Sequence, residues 1–332
     1  MDFSQFLTVQ LPTLVGVVVG VPAVLAGYIV GLEFLVRRLP EERRSSVRPW
    51  IWVGPALLFV TVFLVYPAVD TVRISLLDRH DQFIGLGNYG WVFSDFPTSD
   101  GWTAIRNNLF WLVLYTGFAL LFGLVLAVIT DRVRYEAGVK SLIFMPMAIS
   151  AVALGVIWKF MYSYQPPGVP QTGTMNFIVT AVFHGQPITW LQDQRLNNFA
   201  LIVAAVWGIT GFSMVILSAA LKGIPVELLE AARVDGAGEL MVFRRIIFPL
   251  LMPTITVVGT TLVIFALKAF DVVYVMTQGN FKTNVLANLA YFLLFNFANA
   301  GRSGAVAVIL LIAVIPVLIF NLRQMRQVES RR

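Results

Sequence analysis

The chain has 332 residues, of which 58% are hydrophobic and 13% charged, with a net charge of +6 and a mean hydropathy of +0.79. A soluble domain carries about a quarter of its residues charged, so this composition excludes an ordinary soluble fold and implies an all-α integral membrane protein. Barrel strands would alternate apolar and polar residues over about ten positions, whereas the apolar runs here are long and continuous, and the absence of cysteine removes disulfides and thiolate metal sites.

A helix needs roughly 20 apolar residues to cross a hydrocarbon core of about 30 Å. Runs of that length occur near 13–36, 50–77, 107–130, 141–163, 199–221, 250–276 and 303–322, seven expected spans. The first is not a signal peptide in character, because Asp2 but no Lys or Arg precedes it and five arginines, Arg37 to Arg48, follow it. Counting Lys and Arg in alternate loops gives sixteen on the side of 37–48, 132–140, 222–245 and the C-terminus, against five on the other. Basic residues mark the cytoplasmic side, so the expected orientation is N-terminus outside and C-terminus in the cytoplasm. The same reading assigns the net positive charge to topology and predicts no nucleic-acid partner.

The outer segments 78–106, 164–198 and 277–302 carry Gly, Pro, Asn and aromatics such as Tyr89, Trp91, Trp102 and Trp190, suited to a membrane interface. Gly85-Leu86-Gly87-Asn88-Tyr89-Gly90 spells G-x-G-x-x-G, but it lies between two spans and not in a strand–turn–helix, so it predicts no dinucleotide site. No G-x-x-x-x-G-K-[ST], H-E-x-x-H or G-x-S-x-G occurs. His80 and His184 stand alone and read as surface residues, and no metal or catalytic site is predicted. Inside the spans, Lys268 and Asp271 stand three apart on what reads as one helix, able to pair. Such a pair marks either a pathway or a satisfied structural contact near the outer interface.

Between the fifth and sixth spans lies "GIPVELLEAARVDGAGELMVFRRIIFPLLMP". Pro225 suits the first turn of a helix, and Glu227 and Glu230 favour its positive end. Gly236 and Gly238 supply the freedom to end it and turn the chain. A second helix is expected over Glu239–Phe248, with Arg244 and Arg245 at the membrane surface and Pro249 and Pro253 marking the start of the next span. A short apolar helix with small residues, Ala231 and Ala232, reads as a knob offered to a partner's cleft. A lipid-surface helix would carry bulky anchors and a basic face instead.

The spacing Glu230-Ala231-Ala232, Gly236, Ile246, Phe248-Pro249 resembles the cytoplasmic loop of the membrane permease subunits of bacterial ABC importers, with Phe248 in place of the usual leucine. The resemblance covers 50–325 and points to the maltose-type, sugar-importing branch through "WIWVGPALLFVTVFLVYP", "FIGLGNY", "FDVVYVMTQGN" and "GAVAVILLIAV". It implies a six-helix permease core preceded by an extra helix and basic linker at 1–49, with a coupling loop at 222–249 and a cytoplasmic tail at 326–332. Glu230, Ala231, Ala232, Arg233, Asp235 and Gly236 become the expected ATPase-coupling residues. The expected substrate path comprises Trp207, Phe212, Phe265, Ala266, Lys268, Ala269 and Asp271, although alanines at 205, 266 and 269 replace asparagines of the maltose protein. The resemblance implies a multi-pass protein of the bacterial cytoplasmic membrane, surrounded by membrane lipid. Its expected partners are a second permease, an ATPase dimer and a sugar-binding protein outside. It implies no cofactor on this chain, with ATP and Mg held by the ATPase. The expected cargo is an oligosaccharide such as an α-glucoside, with glycerol-phosphate or another polyol as the alternative. A membrane-embedded enzyme acting on lipid or glycan would need clustered catalytic groups that the sequence lacks.

Overall fold

A computed structural model describes residues 11–38, 40–131 and 133–329. The expectations that used Asp2, Arg132, Arg331 and Arg332 fall outside these residues. The chain divides into two units, residues 1–70 and 71–332. In the first, α1 (Leu11–Val36) is followed by α2 (Arg43–Ile74), which continues into the second unit. Within the first unit Glu33 of α1 accepts from Arg48 of α2 through both carboxylate oxygens, and Tyr28 approaches Gly54.

The second unit holds α3 (Gly87–Phe93), α4 (Asp100–Thr130), α5 (Glu136–Ala148), α6 (Ala151–Met161), α7 (Thr174–Ala181), α8 (Asn197–Lys222), α9 (Val226–Val234), α10 (Glu239–Leu267), α11 (Asp271–Met276), α12 (Leu286–Phe295) and α13 (300–329). Among the described residues six helices are long and apolar enough to cross a membrane, or seven if the bent pair α5–α6 is one span.

That pair departs from the straight helix expected over 141–163. Pro146 sits in a tightened last turn, Ile149 is extended, and Ser150 caps α6 by accepting from Ala153 N at 3.2 Å. The two halves meet at 98°. The sixth span also differs. It begins at Glu239, so the second helix of the loop and the membrane helix are one element, with Pro249 and Pro253 inside it. A proline in a helix interior loses an amide donor and clashes with the carbonyl four residues back. A π-turn over Phe243–Ile247 absorbs this, with Phe248 N–H donating to Phe243 O.

The core forms where α4 and α8 pack together. Gly123 permits the approach, since a Cβ there would stand 2.4 Å from Ser213 Cβ. Trp111, Tyr115, Leu154, Trp158, Leu201 and Leu262 fill the main cluster, drawing on α4, α6, α8 and α10. A second cluster joins α3 and α4 to α12 and α13 through Val92, Ala104, Leu289 and Val306.

Buried asparagines tie the loop before α12 to this core. Asn107 Nδ2 donates to Lys282 O and Asn284 O, both at 2.8 Å, and Asn108 Oδ1 accepts from Leu286 N at 2.7 Å. Asn197 Nδ2 donates to Phe281 O at 2.8 Å. These bonds hold Phe281 and Lys282 at positive φ, a conformation that persists only where surroundings over-determine it. The glycine-rich string at 85–90 is likewise structural, because Asn88 Nδ2 donates to Ser75 O and Leu77 O at 2.9 and 2.7 Å. His80 and His184 are exposed.

Candidate functional site

Two features stand at opposite parts of α8. At its end, Lys222 leads through Gly223, Ile224 and Pro225 into α9, whose side chains lack any core of their own. Pro225 is the N-cap residue of α9, and Glu227 falls in its first turn. At the other end Asp235 is the C-cap and Gly236 has φ +82. Gly236 N donates to Arg233 O and Ala237 N to Ala232 O, both at 3.0 Å, the paired bonds of a Schellman motif. The predicted helix and the turn at Gly236 are present, whereas Pro225 stands just outside the first turn, Glu230 beyond it, and Gly238 has an ordinary extended backbone with φ −69.

Across the turn, Arg233 grips Glu239 with two bonds, Nε to Oε1 at 2.7 Å and Nη2 to Oε2 at 3.2 Å. This ties α9 to the start of α10, and the carboxylate raises the Arg233 guanidinium above its ordinary pKa. Glu230, Ala231, Asp235 and Gly236 are exposed, and Ala232 is half-buried against the turn. Val226 and Val234, four residues either side of Glu230, are also exposed, Val234 at 87%. One face of α9 thus presents a carboxylate between two exposed valines.

The base of the loop is clamped by residues that the sequence reading did not single out. Glu136, the first residue of α5, accepts from Lys222 Nζ at 2.7 Å and from Lys140 Nζ, and Lys140 in turn reaches Ser218 Oγ. One carboxylate holds two cations, so the end of α8 is fixed to α5 immediately before the chain turns to α9. The i,i+4 spacing of Glu136 and Lys140 was visible in the sequence, but their bonds to α8 were not.

The second feature is a cavity of about 360 Å³, at the lower end of small-molecule sites. Trp111 and Tyr115 of α4, the bend at Pro146–Ile149, Ala205 and Gly208 of α8, Phe265, and 268–272 surround it. Two interrupted helices therefore converge on it: α5–α6 at its bend, and α10–α11, where α10 stops at Leu267 and Phe270 takes φ −143 before α11 begins. Discontinuous helices of this kind expose backbone groups where a transporter needs polar contacts inside the membrane. Trp111 Nε1 is buried without a partner among the described residues.

Of the expected path residues, Phe265, Lys268, Ala269 and Asp271 line this cavity. Ala266 is fully buried in the core, and Phe212 packs on Phe265 at 6.4 Å without lining the cavity. Trp207 faces a separate apolar groove and meets Trp158 edge-on at 5.8 Å. The expected pairing of Lys268 with Asp271 is overturned. The helix breaks between them, so they do not share a helical face, and no ion pair joins them among the described residues. The cavity thus offers aromatic walls, one ammonium and one carboxylate, a set that can bind a polar solute.

Comparison with known proteins agrees with this arrangement. Residues 119–331 match the family described as binding-protein-dependent transport system inner membrane component. The chain is 49% identical over 283 residues to the osmoprotective compounds uptake permease protein GgtC of Synechocystis, covering 85% of this chain and all of that protein. It is 46% identical over 281 residues to the alpha-glucoside transport system permease protein AglF of Rhizobium meliloti, covering 84% and 82%. A crystal structure of a bacterial ABC transporter for the acidic polysaccharide alginate shares the fold, with a TM-score of 0.73 at 21% identity over 86% of this chain and 98% of that one. The chain therefore belongs to the family of multi-pass inner-membrane permeases of binding-protein-dependent ABC transport systems.

Proposed function

We propose that this chain is one of two permease subunits of an ATP-driven sugar importer, that α9 transmits ATPase closure to the membrane helices, and that the cargo is an α-glucoside or related oligosaccharide. The observation that carries the coupling role is the exposed face Val226–Glu230–Val234 on a helix fixed at both ends, by Glu136 through Lys222 and by Glu239 through Arg233. A push on α9 is thereby delivered to α5, α8 and α10 together, the helices around the cavity. Alternating access needs such a concerted movement, opening the solute site to one side at a time. In this reading the loop faces the cytoplasm, ATP and Mg are held by the ATPase dimer, and the solute arrives from a binding protein outside.

The sugar reading is supported by the 46% identity to AglF and by the aromatic walls of the cavity, Trp111 and Phe265, against which the apolar face of a sugar ring can stack. A second reading, a smaller osmoprotective solute, is favoured by the 49% identity to GgtC and the modest 360 Å³. The test is ATP hydrolysis by the reconstituted complex with its binding protein and a panel of solutes. Stimulation by α-glucosides supports the first reading; stimulation by polyols alone selects the second. ATPase activity indifferent to every solute removes both.

A further inference from the structure

Beside the central cavity, with Pro146 lining both, α4 and α8 border two further hollows that share a wall. The larger, about 670 Å³, is lined by apolar side chains apart from Thr210, among them Phe118, Leu142 and Val203. The smaller, about 200 Å³, holds Arg106, Gln194, Arg195 and Asn198. Leu114, Phe199 and Ile202 line both, so the two form one groove with a polar head and an apolar body. The head is at the end of α8 remote from the coupling loop, since Arg195 lies two residues before that helix begins at Asn197.

The head has unspent polar capacity. Arg106 and Arg195 are exposed, and neither guanidinium has an ion-pair partner among the described residues. Asn198 is only 8% exposed, and while its Nδ2 donates to Asn107 Oδ1 at 3.1 Å, its own Oδ1 has no partner. An occupant should therefore bring an anion for two arginines and a hydroxyl donor for an amide oxygen. The body sets the length. From Phe199 to Thr210 α8 advances eleven residues, about 16 Å at 1.5 Å per residue, and half of a hydrocarbon core of about 30 Å is roughly the same.

We infer that this groove binds one anionic phospholipid, with its phosphate diester on Arg106 and Arg195, a headgroup hydroxyl toward Asn198, and one acyl chain along α8 from Phe199 to Thr210. A transported sugar would have no use for the apolar length. A protein helix seated there would bury two cations unless it supplied carboxylates at that depth, whereas a phospholipid carries its charge at the hydrocarbon boundary. The inference does not depend on the identity of the cargo.

The test uses the intact complex and two probes, phosphatidylglycerol and phosphatidylcholine, each with a photoreactive group at mid-chain. Phosphatidylglycerol should label the α8 peptide around Val203 at least fivefold more than phosphatidylcholine. Arg106→Gln and Arg195→Gln should each lower that labelling roughly fivefold, the weight of one basic residue near an anionic surface, while Arg106→Lys and Arg195→Lys preserve it. Equal labelling by both lipids, or unchanged labelling in the glutamine variants, overturns the proposal. So does a cross-link from Val203→Cys to the second permease subunit with no lipid labelling. The chain has no native cysteine, so that cross-link is unambiguous.

Discussion

Replacing Gly236 tests whether the turn after α9 is a mechanical part. The residue has φ +82, and a Cβ built there meets nothing within 4 Å. A Gly236→Ala change therefore adds no steric clash, only the cost of a left-handed backbone in an L-residue, roughly 1–2 kcal/mol. Reduced freedom of the unfolded chain returns roughly 0.4–1 kcal/mol, leaving a net penalty near 1 kcal/mol. That shifts the Schellman-closed turn about fivefold toward open forms. Asparagine tolerates the left-handed region and should behave nearly as glycine, while valine, branched at Cβ, should be worse than alanine. Gly238 is the control, with φ −69 and ψ 157 at the N-cap of α10. Gly238→Ser should be neutral or stabilising there. The assay is ATP hydrolysis stimulated by liganded binding protein in proteoliposomes, expected in the order glycine, asparagine, alanine, valine at constant subunit assembly. Equal activity of all four residues at 236, or a larger loss from Gly238→Ser than from Gly236→Ala, refutes the argument.

Three further outcomes follow from the same contacts. Arg233→Glu and Glu239→Arg should each impair stimulated hydrolysis, and the double exchange should restore much of it, because the forked pair is bridged again across the turn. Glu136→Gln removes the carboxylate shared by Lys140 and Lys222, so amide exchange at Gly223, Ile224 and Val226 should quicken while that of the α4–α8 core stays unchanged. Gly123→Ala forces a Cβ to 2.4 Å from Ser213 Cβ, an overpacking cost of roughly 1–3 kcal/mol, and thermal unfolding of the purified complex should shift down accordingly.

Hydropathy located the helices well, because a run of apolar residues long enough to cross a bilayer has few other fates. It could not show the 98° bend at Ile149–Ser150, where apolar residues continue unbroken and only Pro146 and the Ser150 cap hint at a corner. The same blindness joined α10 to α11, since the break over Lys268–Phe270 contains neither proline nor glycine to mark it, and this produced the mistaken Lys268–Asp271 pairing. The loop around α9 was legible because Pro225 and Gly236 act locally. Its clamp was not, because Glu136 and Lys222 are far apart in sequence and meet only when α5 and α8 pack. Asn107, Asn108 and Asn197 were missed for a related reason: an asparagine reads as a surface residue until the carbonyls it satisfies are known.

Contact between α9 and the ATPase is measured by placing one cysteine at Glu230, in a chain without any other, and oxidising the complex against cysteines in the cleft of the ATPase subunit. If α9 docks on the ATPase, a disulfide forms in high yield and arrests solute uptake reversibly, with reduction restoring it. A cysteine at position 230 that remains free for alkylation in the assembled complex, or a cross-link that leaves uptake intact, would contradict it.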